Sequence, residues 1–217
     1  MTAQHPDIEQ QLRSATLRTR RHWYADGLAE TLIGLVFCVL ALYFGGGEAA
    51  RTALGPSPSL DLVLNLLFPA LVIVVCLASR RLIRTAKERY VYPRTGFVRY
   101  PNRGAWPKWL SGLLAGAVSG LTVALIRTAP GLEAWIPAFE GFLIGGILFW
   151  QSRFAGVQRY SGLALVSALL GVLVSLGRFS PGNAGGLLFG SLGVVLLISG
   201  RLAFQRFLRN APLPEQP

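Results

Sequence analysis

The chain has 217 residues, of which 52% are hydrophobic and 14% are charged, and its formal net charge is +11. Soluble domains carry about 25% charged residues, so this composition argues against a soluble protein, and its apolarity excludes a disordered chain. The two cysteines, Cys38 and Cys76, both lie inside apolar runs, which excludes a disulfide scaffold and a thiolate zinc site. The class that remains is a polytopic membrane protein.

Six apolar stretches are long enough, or nearly so, to cross a bilayer as α-helices, for which about 20 mostly apolar residues are needed. Helices suit this setting because backbone groups in lipid must find hydrogen-bond partners within their own segment. The predicted fold is therefore all-α, with six transmembrane helices and a small cytoplasmic β-hairpin between the second and the third. The predicted spans are Leu28–Phe44, Leu60–Ser79, Trp109–Ile126, Trp135–Trp150, Tyr160–Gly177 and Ala184–Gly200.

These spans divide the chain into five parts. A basic N-terminal segment (1–27) precedes a first transmembrane hairpin (28–79), which is followed by a basic loop (80–108). Four further helices (109–204) and a short tail (205–217) complete the chain.

The distribution of positive charge predicts the orientation. With six spans, eighteen Lys and Arg residues lie on the side that holds both termini, and only Arg51, Arg127 and Arg178 lie on the other. Cytoplasmic segments of membrane proteins are enriched in Lys and Arg. We therefore expect a multi-pass protein of the bacterial plasma membrane with both termini in the cytoplasm.

Small residues recur every fourth position in several predicted spans, and such strips let helix backbones approach closely. They are interpreted as packing surfaces within the bundle, in preference to a dimerisation face or a transport groove, although an oligomer stays open. The strips comprise Gly112, Gly116 and Gly120; Gly141 and Gly145; Ser167, Gly171 and Ser175; and Gly186 and Gly190.

The basic loop is the most distinctive segment. Its first residues are expected to continue the second helix, and the sequence Arg89–Tyr100 then places two β-prone runs around Pro93-Arg-Thr-Gly96, which predicts a hairpin. Juxtamembrane Lys and Arg are attracted to anionic lipid headgroups by about 1 kcal/mol each. We expect the loop to contact such headgroups, with a protein partner as an alternative and nucleic acid as the least favoured one. The expected contacts are Arg80, Arg81, Arg84, Lys87, Arg89, Arg99 and Arg103.

Asp26 and Glu30 lie four residues apart at the start of the first span and so share one helix face. The favoured interpretation is that both carboxylates complement the positive end of the helix. The alternative is a functional intramembrane carboxylate, in which Glu30 binds Arg94 or a neighbour from the predicted hairpin.

The strings Tyr24-x-Asp-Gly-Leu-x-Glu30 and Tyr92-Pro-Arg-Thr-Gly-x-Val98 resemble a family of small, uncharacterised bacterial multi-pass membrane proteins. The resemblance covers two short segments within the first hundred residues. It implies a bacterial plasma-membrane location and supplies no activity, cofactor or catalytic residue.

Catalytic patterns do not emerge from the sequence. Both histidines, His5 and His22, precede the first span, so no histidine can assist a serine inside the membrane. Walker and dinucleotide-binding motifs are also missing, and we expect neither an enzyme nor a cofactor. The predicted function is a non-enzymatic membrane component that acts through a basic cytoplasmic face. The alternative is a small-solute or proton-linked transporter that uses Glu140, near the outer end of the fourth span.

Overall fold

The computed structural model describes residues 26–55, 57–95 and 131–210, and over these ranges the regular structure is entirely helical. We number the α-helices in chain order. A π-helical turn at Lys87–Val91 joins α2 to α3, and a 3₁₀ turn at Leu132–Trp135 leads into α4. The α-helices are α1 (Leu28–Leu54), α2 (Pro58–Ala86), α3 (Tyr92–Thr95), α4 (Ile136–Ala155), α5 (Arg159–Leu176) and α6 (Pro181–Asn210).

Five helical segments of the described ranges are long and apolar enough to cross a membrane. This confirms the all-helical class and is compatible with a multi-pass membrane protein, but the described residues do not support the predicted count of six spans, because Trp109–Ile126 lies outside them. Helices α1, α2 and α6 also extend beyond the apolar stretches from which they were predicted. Apolarity marks only the part of a helix that suits hydrocarbon, whereas the backbone hydrogen bonds continue through the polar residues beyond it.

The predicted β-hairpin is wrong in its first strand. Residues 89–92, which were expected to be extended, continue the helix through the π-helical turn into α3. Pro93 is the second residue of α3 and directly follows the π-helical turn, where the hydrogen-bond pattern of the continuous helix changes. The proline therefore does not mark a turn. The second predicted strand, with Gly96, lies outside the described residues.

Helices α1 and α6 pack antiparallel over most of their length. The contact runs from Gly27 against Gly200 and Ala203 at one end to Glu48 against Gly182 at the other. Glycine is required at Gly200, since a Cβ there would overlap Thr31 Oγ1 and lie 2.8 Å from the Gly27 carbonyl oxygen. Two backbones this close pack without intervening side chains, as small residues permit in membrane helices.

Helices α4 and α5 form a second antiparallel pair. Gly141 lies against Gly171, and the Ser167 hydroxyl donates to the Gly141 carbonyl at 2.9 Å. At one end of the pair, Ser175 Oγ accepts the Ala138 N–H at 2.9 Å and so satisfies one of the free amides in the first turn of α4. The small residues of these helices therefore serve packing within the bundle, as predicted.

A cluster of buried apolar side chains joins the two pairs. Leu196 of α6 packs with Leu148 of α4 and Leu163 of α5, and Phe37 of α1 borders the cluster. Many large apolar side chains on the outside of the bundle remain exposed, including those along α2. This distribution suits a protein whose outer surface faces lipid, where apolar exposure carries no penalty.

Candidate functional site

Two buried carboxylates lie at the beginning of α1. Asp26 and Glu30 are each 1% exposed. Gly27 between them adopts φ +70°, a left-handed conformation that suits glycine, and the chain enters α1 from this residue. Asp26 Oδ1 accepts the Leu28 N–H at 3.1 Å. Asp26 thus binds one of the unpaired amides at the positive end of the helix, which is the role that sequence analysis favoured.

Glu30 lies on the face of α1 that packs against α5 and α6. Its Oε1 is 2.6 Å from Arg159 Nε at the first residue of α5, and its Oε2 accepts the Ser199 hydroxyl of α6 at 2.9 Å. The Arg159 guanidinium also lies 5.6 Å from the ring centre of the buried Tyr160. One carboxylate therefore links three helices through two hydrogen bonds, one of them to a charged group.

Asp26 has a separate basic partner. Lys87 Nζ of the π-helical turn lies 3.2 Å from Asp26 Oδ2, and the lysine side chain is 4% exposed. A π-helical turn holds one more residue than an α-helical turn and so shifts the direction of the side chains beyond it. Both Lys87 and Val91 of this turn are buried. Through the ion pair with Asp26, the turn holds the end of α2 against the start of α1.

We call Asp26, Glu30, Lys87, Arg159 and Ser199 the charged cluster. An isolated charge is expensive to bury, whereas a paired and hydrogen-bonded one is tolerated, so each carboxylate fixes the position of its cation. The described ranges contain no group of three or more His, Cys, Asp or Glu residues that could hold a metal ion. The arrangement supports a fixed connection between α1, α2, α5 and α6 that consists of two ion pairs and one hydrogen bond from a hydroxyl.

One alternative and one expectation for these residues need correction. The partner of Glu30 is Arg159, 129 positions away, and not a residue of the predicted hairpin such as Arg94. Lys87 was expected to contact headgroups but is buried against Asp26. Arg84 is exposed as expected, although it also pairs with Glu88 at 2.8 Å. Arg99 and Arg103 lie outside the described residues, and the structure describes only the backbone of Arg80 and Arg94.

Sequence analysis did not single out Arg159 or Ser199. Arg159 counted only as one more positive charge near a span. The available signal was that it begins an apolar helix, directly before a tyrosine. Lys87 offered another signal, since it is one of only two lysines in a chain whose other cations are arginines.

The two ends of the bundle differ in charge. Around the charged cluster the described residues contain eleven Lys and Arg and three Asp and Glu, whereas the opposite end has two Arg and four Asp and Glu. A contact between the rings of Tyr90 and Phe204 brings the end of α2 beside the end of α6. We call the first end the basic end. Its exposed arginines are Arg81, Arg84, Arg89, Arg153, Arg201, Arg206 and Arg209.

Glu140 lies at the opposite end, in the second turn of α4. It is partly buried and lines a cavity of about 610 Å³ between α1, α4, α5 and α6. Within the described ranges, its carboxylate has no hydrogen-bond or ion-pair partner. This contrasts with Asp61, in the first turn of α2, whose Oδ1 accepts a hydrogen bond from Arg51 Nε at 3.0 Å.

No family model, curated protein or solved structure matches the chain. The charged cluster, the basic end and the cavity are therefore the features from which a function can be inferred.

Proposed function

We propose that the protein is a non-enzymatic component of the bacterial plasma membrane that binds anionic lipid headgroups through its basic end. The observation that carries this proposal is the set of exposed arginines on α2, α4 and α6 at one end of the bundle. The charged cluster supports it, because Lys87 and Arg159 hold α2 and α5 against α1 at this end.

The orientation follows from the same charges. The basic end is the cytoplasmic one, since Lys and Arg are enriched on that side of membrane proteins. Reporter fusions at Asn183 and after Arg209 test this orientation. They should report an external and an internal position, respectively. An external signal after Arg209 would contradict it.

Lipid binding is tested by measuring the affinity of the purified protein for vesicles of phosphatidylglycerol and of phosphatidylcholine. Exposed arginines near an anionic surface contribute about 1 kcal/mol each, so the triple variant Arg81→Gln, Arg84→Gln, Arg89→Gln should bind phosphatidylglycerol about a hundredfold more weakly. The matched control is Arg178→Gln, at the opposite end. Equal affinity for the two lipids, or an equal loss in the control, would refute the proposal.

A protein partner on the same face is the competing interpretation of these arginines. It predicts that cross-links from the 80–108 segment in native membranes lead to one protein, whereas lipid binding predicts cross-links mainly to phospholipid. This comparison separates the two partners without relying on purified material.

A second function, small-solute transport, is supported by one specific observation. Glu140 lines a cavity at the end opposite to the basic end and has no partner among the described residues. Ionisable residues within membrane segments commonly mark solute or proton pathways. A flux assay in liposomes tests this function independently of headgroup binding.

A further inference from the structure

The Glu140 cavity has a defined charge. Three ionisable side chains line it, namely the carboxylates of Glu133 and Glu140 and the guanidinium of Arg178. Their formal sum is one negative charge. Glu133 and Arg178 are exposed, so they border the opening, whereas Glu140 is partly buried. The uncompensated negative charge therefore lies deeper in the cavity, at Glu140.

The rest of the lining is apolar and rich in aromatic rings. Phe44 of α1 and Phe189 of α6 stack with their ring centres 5.5 Å apart and an interplanar angle of 12°. Trp135 and Phe179 contribute two more rings. Aromatic faces attract cations that lie within about 6 Å of the ring centre, most strongly where water is excluded. The volume of about 610 Å³ falls within the range of small-molecule sites.

We propose that this cavity binds a hydrophobic organic monocation, whose charge pairs with Glu140 and whose apolar body lies among the aromatic rings. A single carboxylate balances one positive charge, and the apolar lining excludes a small hydrated ion, because it offers few oxygen ligands to replace the hydration shell. The proposal rests on the second function above and deepens it by naming a substrate class.

Arg178 is exposed at the opening, and two other side chains that could weaken the site are engaged elsewhere. Arg51, at the same end of the bundle, is held by Asp61 at 3.0 Å and by Glu48 at 4.0 Å. The Ser175 hydroxyl, which lines the cavity, accepts the Ala138 N–H. Among the described lining residues, Glu140 is thus the partly buried carboxylate that can pair with a cation, whereas Glu133 lies at the exposed opening.

The test uses tetraphenylphosphonium and the purified, full-length protein in detergent, with binding measured by equilibrium dialysis. Tetraphenylborate, which has the same shape and the opposite charge, is the ligand control. We expect saturable binding of the cation that exceeds binding of the anion by about tenfold or more, since a charge of the wrong sign meets an unpaired carboxylate. Equal binding of the two ions would overturn the proposal.

Variants locate the site. Glu140→Gln should lower the affinity for tetraphenylphosphonium about tenfold or more, as expected when one partner of a shielded charge pair is removed. Glu140→Asp, which keeps the charge, should retain most of the affinity. The matched control is Glu48→Gln, because Glu48 lies at the same end of the bundle but does not line the cavity. An equal loss in Glu48→Gln, or none in Glu140→Gln, would refute the assignment.

A spectroscopic readout covers the case in which a variant folds poorly. Trp135 lines the cavity, so the bound cation should change its fluorescence in the wild-type protein, and Trp135→Phe should abolish that change. Persistence of the whole change in Trp135→Phe would place the ligand elsewhere. A flux assay in liposomes then separates cation binding from transport. Binding without flux refutes transport and leaves the cation site established.

Discussion

Removal of the Arg159 guanidinium is the most direct test of the charged cluster. Arg159→Met keeps an unbranched apolar chain at the start of α5 but leaves the Glu30 carboxylate, which is 1% exposed, without its cation. Breaking a buried ion pair by removing one partner costs about 3–5 kcal/mol. Because the Arg159 side chain is 27% exposed and partly hydrated, we expect a loss near the lower limit, about 3 kcal/mol, or roughly a hundredfold in the ratio of folded to unfolded protein.

The free energy of unfolding can be measured by reversible denaturation in mixed micelles. The matched control is Arg84→Met, which removes an ion pair at the same end whose arginine side chain is 81% exposed. Exposed pairs contribute at most about 1 kcal/mol. The control should therefore be close to wild type, and similar losses in Arg159→Met and Arg84→Met would refute the reasoning.

A double variant separates the loss of a favourable contact from the cost of a stranded charge. Glu30→Gln removes the negative charge and keeps an oxygen that can accept the Ser199 hydroxyl. Arg159→Met combined with Glu30→Gln should therefore recover at least half of the stability lost in Arg159→Met alone, because no buried charge remains. If the two losses simply add, the carboxylate is not paired with Arg159.

Three further predictions use the same unfolding measurement. Gly200→Ala should lower the free energy of unfolding by about 2 kcal/mol, because the added methyl group overpacks against α1. Gly46→Ala, with open space around the glycine, should not lower it, and equal effects of the two variants would contradict the α1–α6 contact. Ser175→Ala should lower the free energy of unfolding by about 1 kcal/mol, because it frees an amide in the first turn of α4. Ser191→Ala, whose hydroxyl bonds only its own helix among the described residues, should stay within about 0.5 kcal/mol of wild type. Lys87→Met should lower the free energy of unfolding by about 3 kcal/mol, because it leaves the buried Asp26 carboxylate without its cation. Wild-type stability would show that the pair is not buried.

The apolar spans were largely predictable because hydropathy depends on local composition. Four of the five described segments that could cross a membrane contain a predicted span, and the fifth, Arg159–Leu176, covers all of its span except Gly177. The ends differ; Gly45–Gly47, for example, lies inside α1 and does not terminate it. Helix ends depend on capping and on neighbouring helices, which apolarity does not report. The packing role of Gly141 and Gly171 could also be predicted, since small residues at helical spacing let neighbouring helices approach closely.

The hairpin prediction failed because local propensity did not decide the structure. Residues 89–92 are β-prone and precede Pro93, but the buried contact between Lys87 and Asp26 holds this segment as a continuation of α2. The same limit applies to Glu30. Its position on a helix face was readable from the spacing to Asp26, whereas its partner, 129 residues away, follows from how α5 packs against α1. Tertiary contacts of this kind override local preference.

The contrast between the two ends of the bundle gives the strongest reason to treat them as separate sites. Glu30 and Asp26 are more deeply buried than Glu140, yet each has a cation at 3.2 Å or less. Glu140 is partly buried beside a cavity and has no such partner among the described residues. A carboxylate that serves only to hold helices together is expected to be paired, because an unpaired buried charge opposes folding. The charged cluster thus accounts for structure at the basic end, while Glu140 makes no such connection among the described residues, which is the reason for placing the proposed ligand beside it.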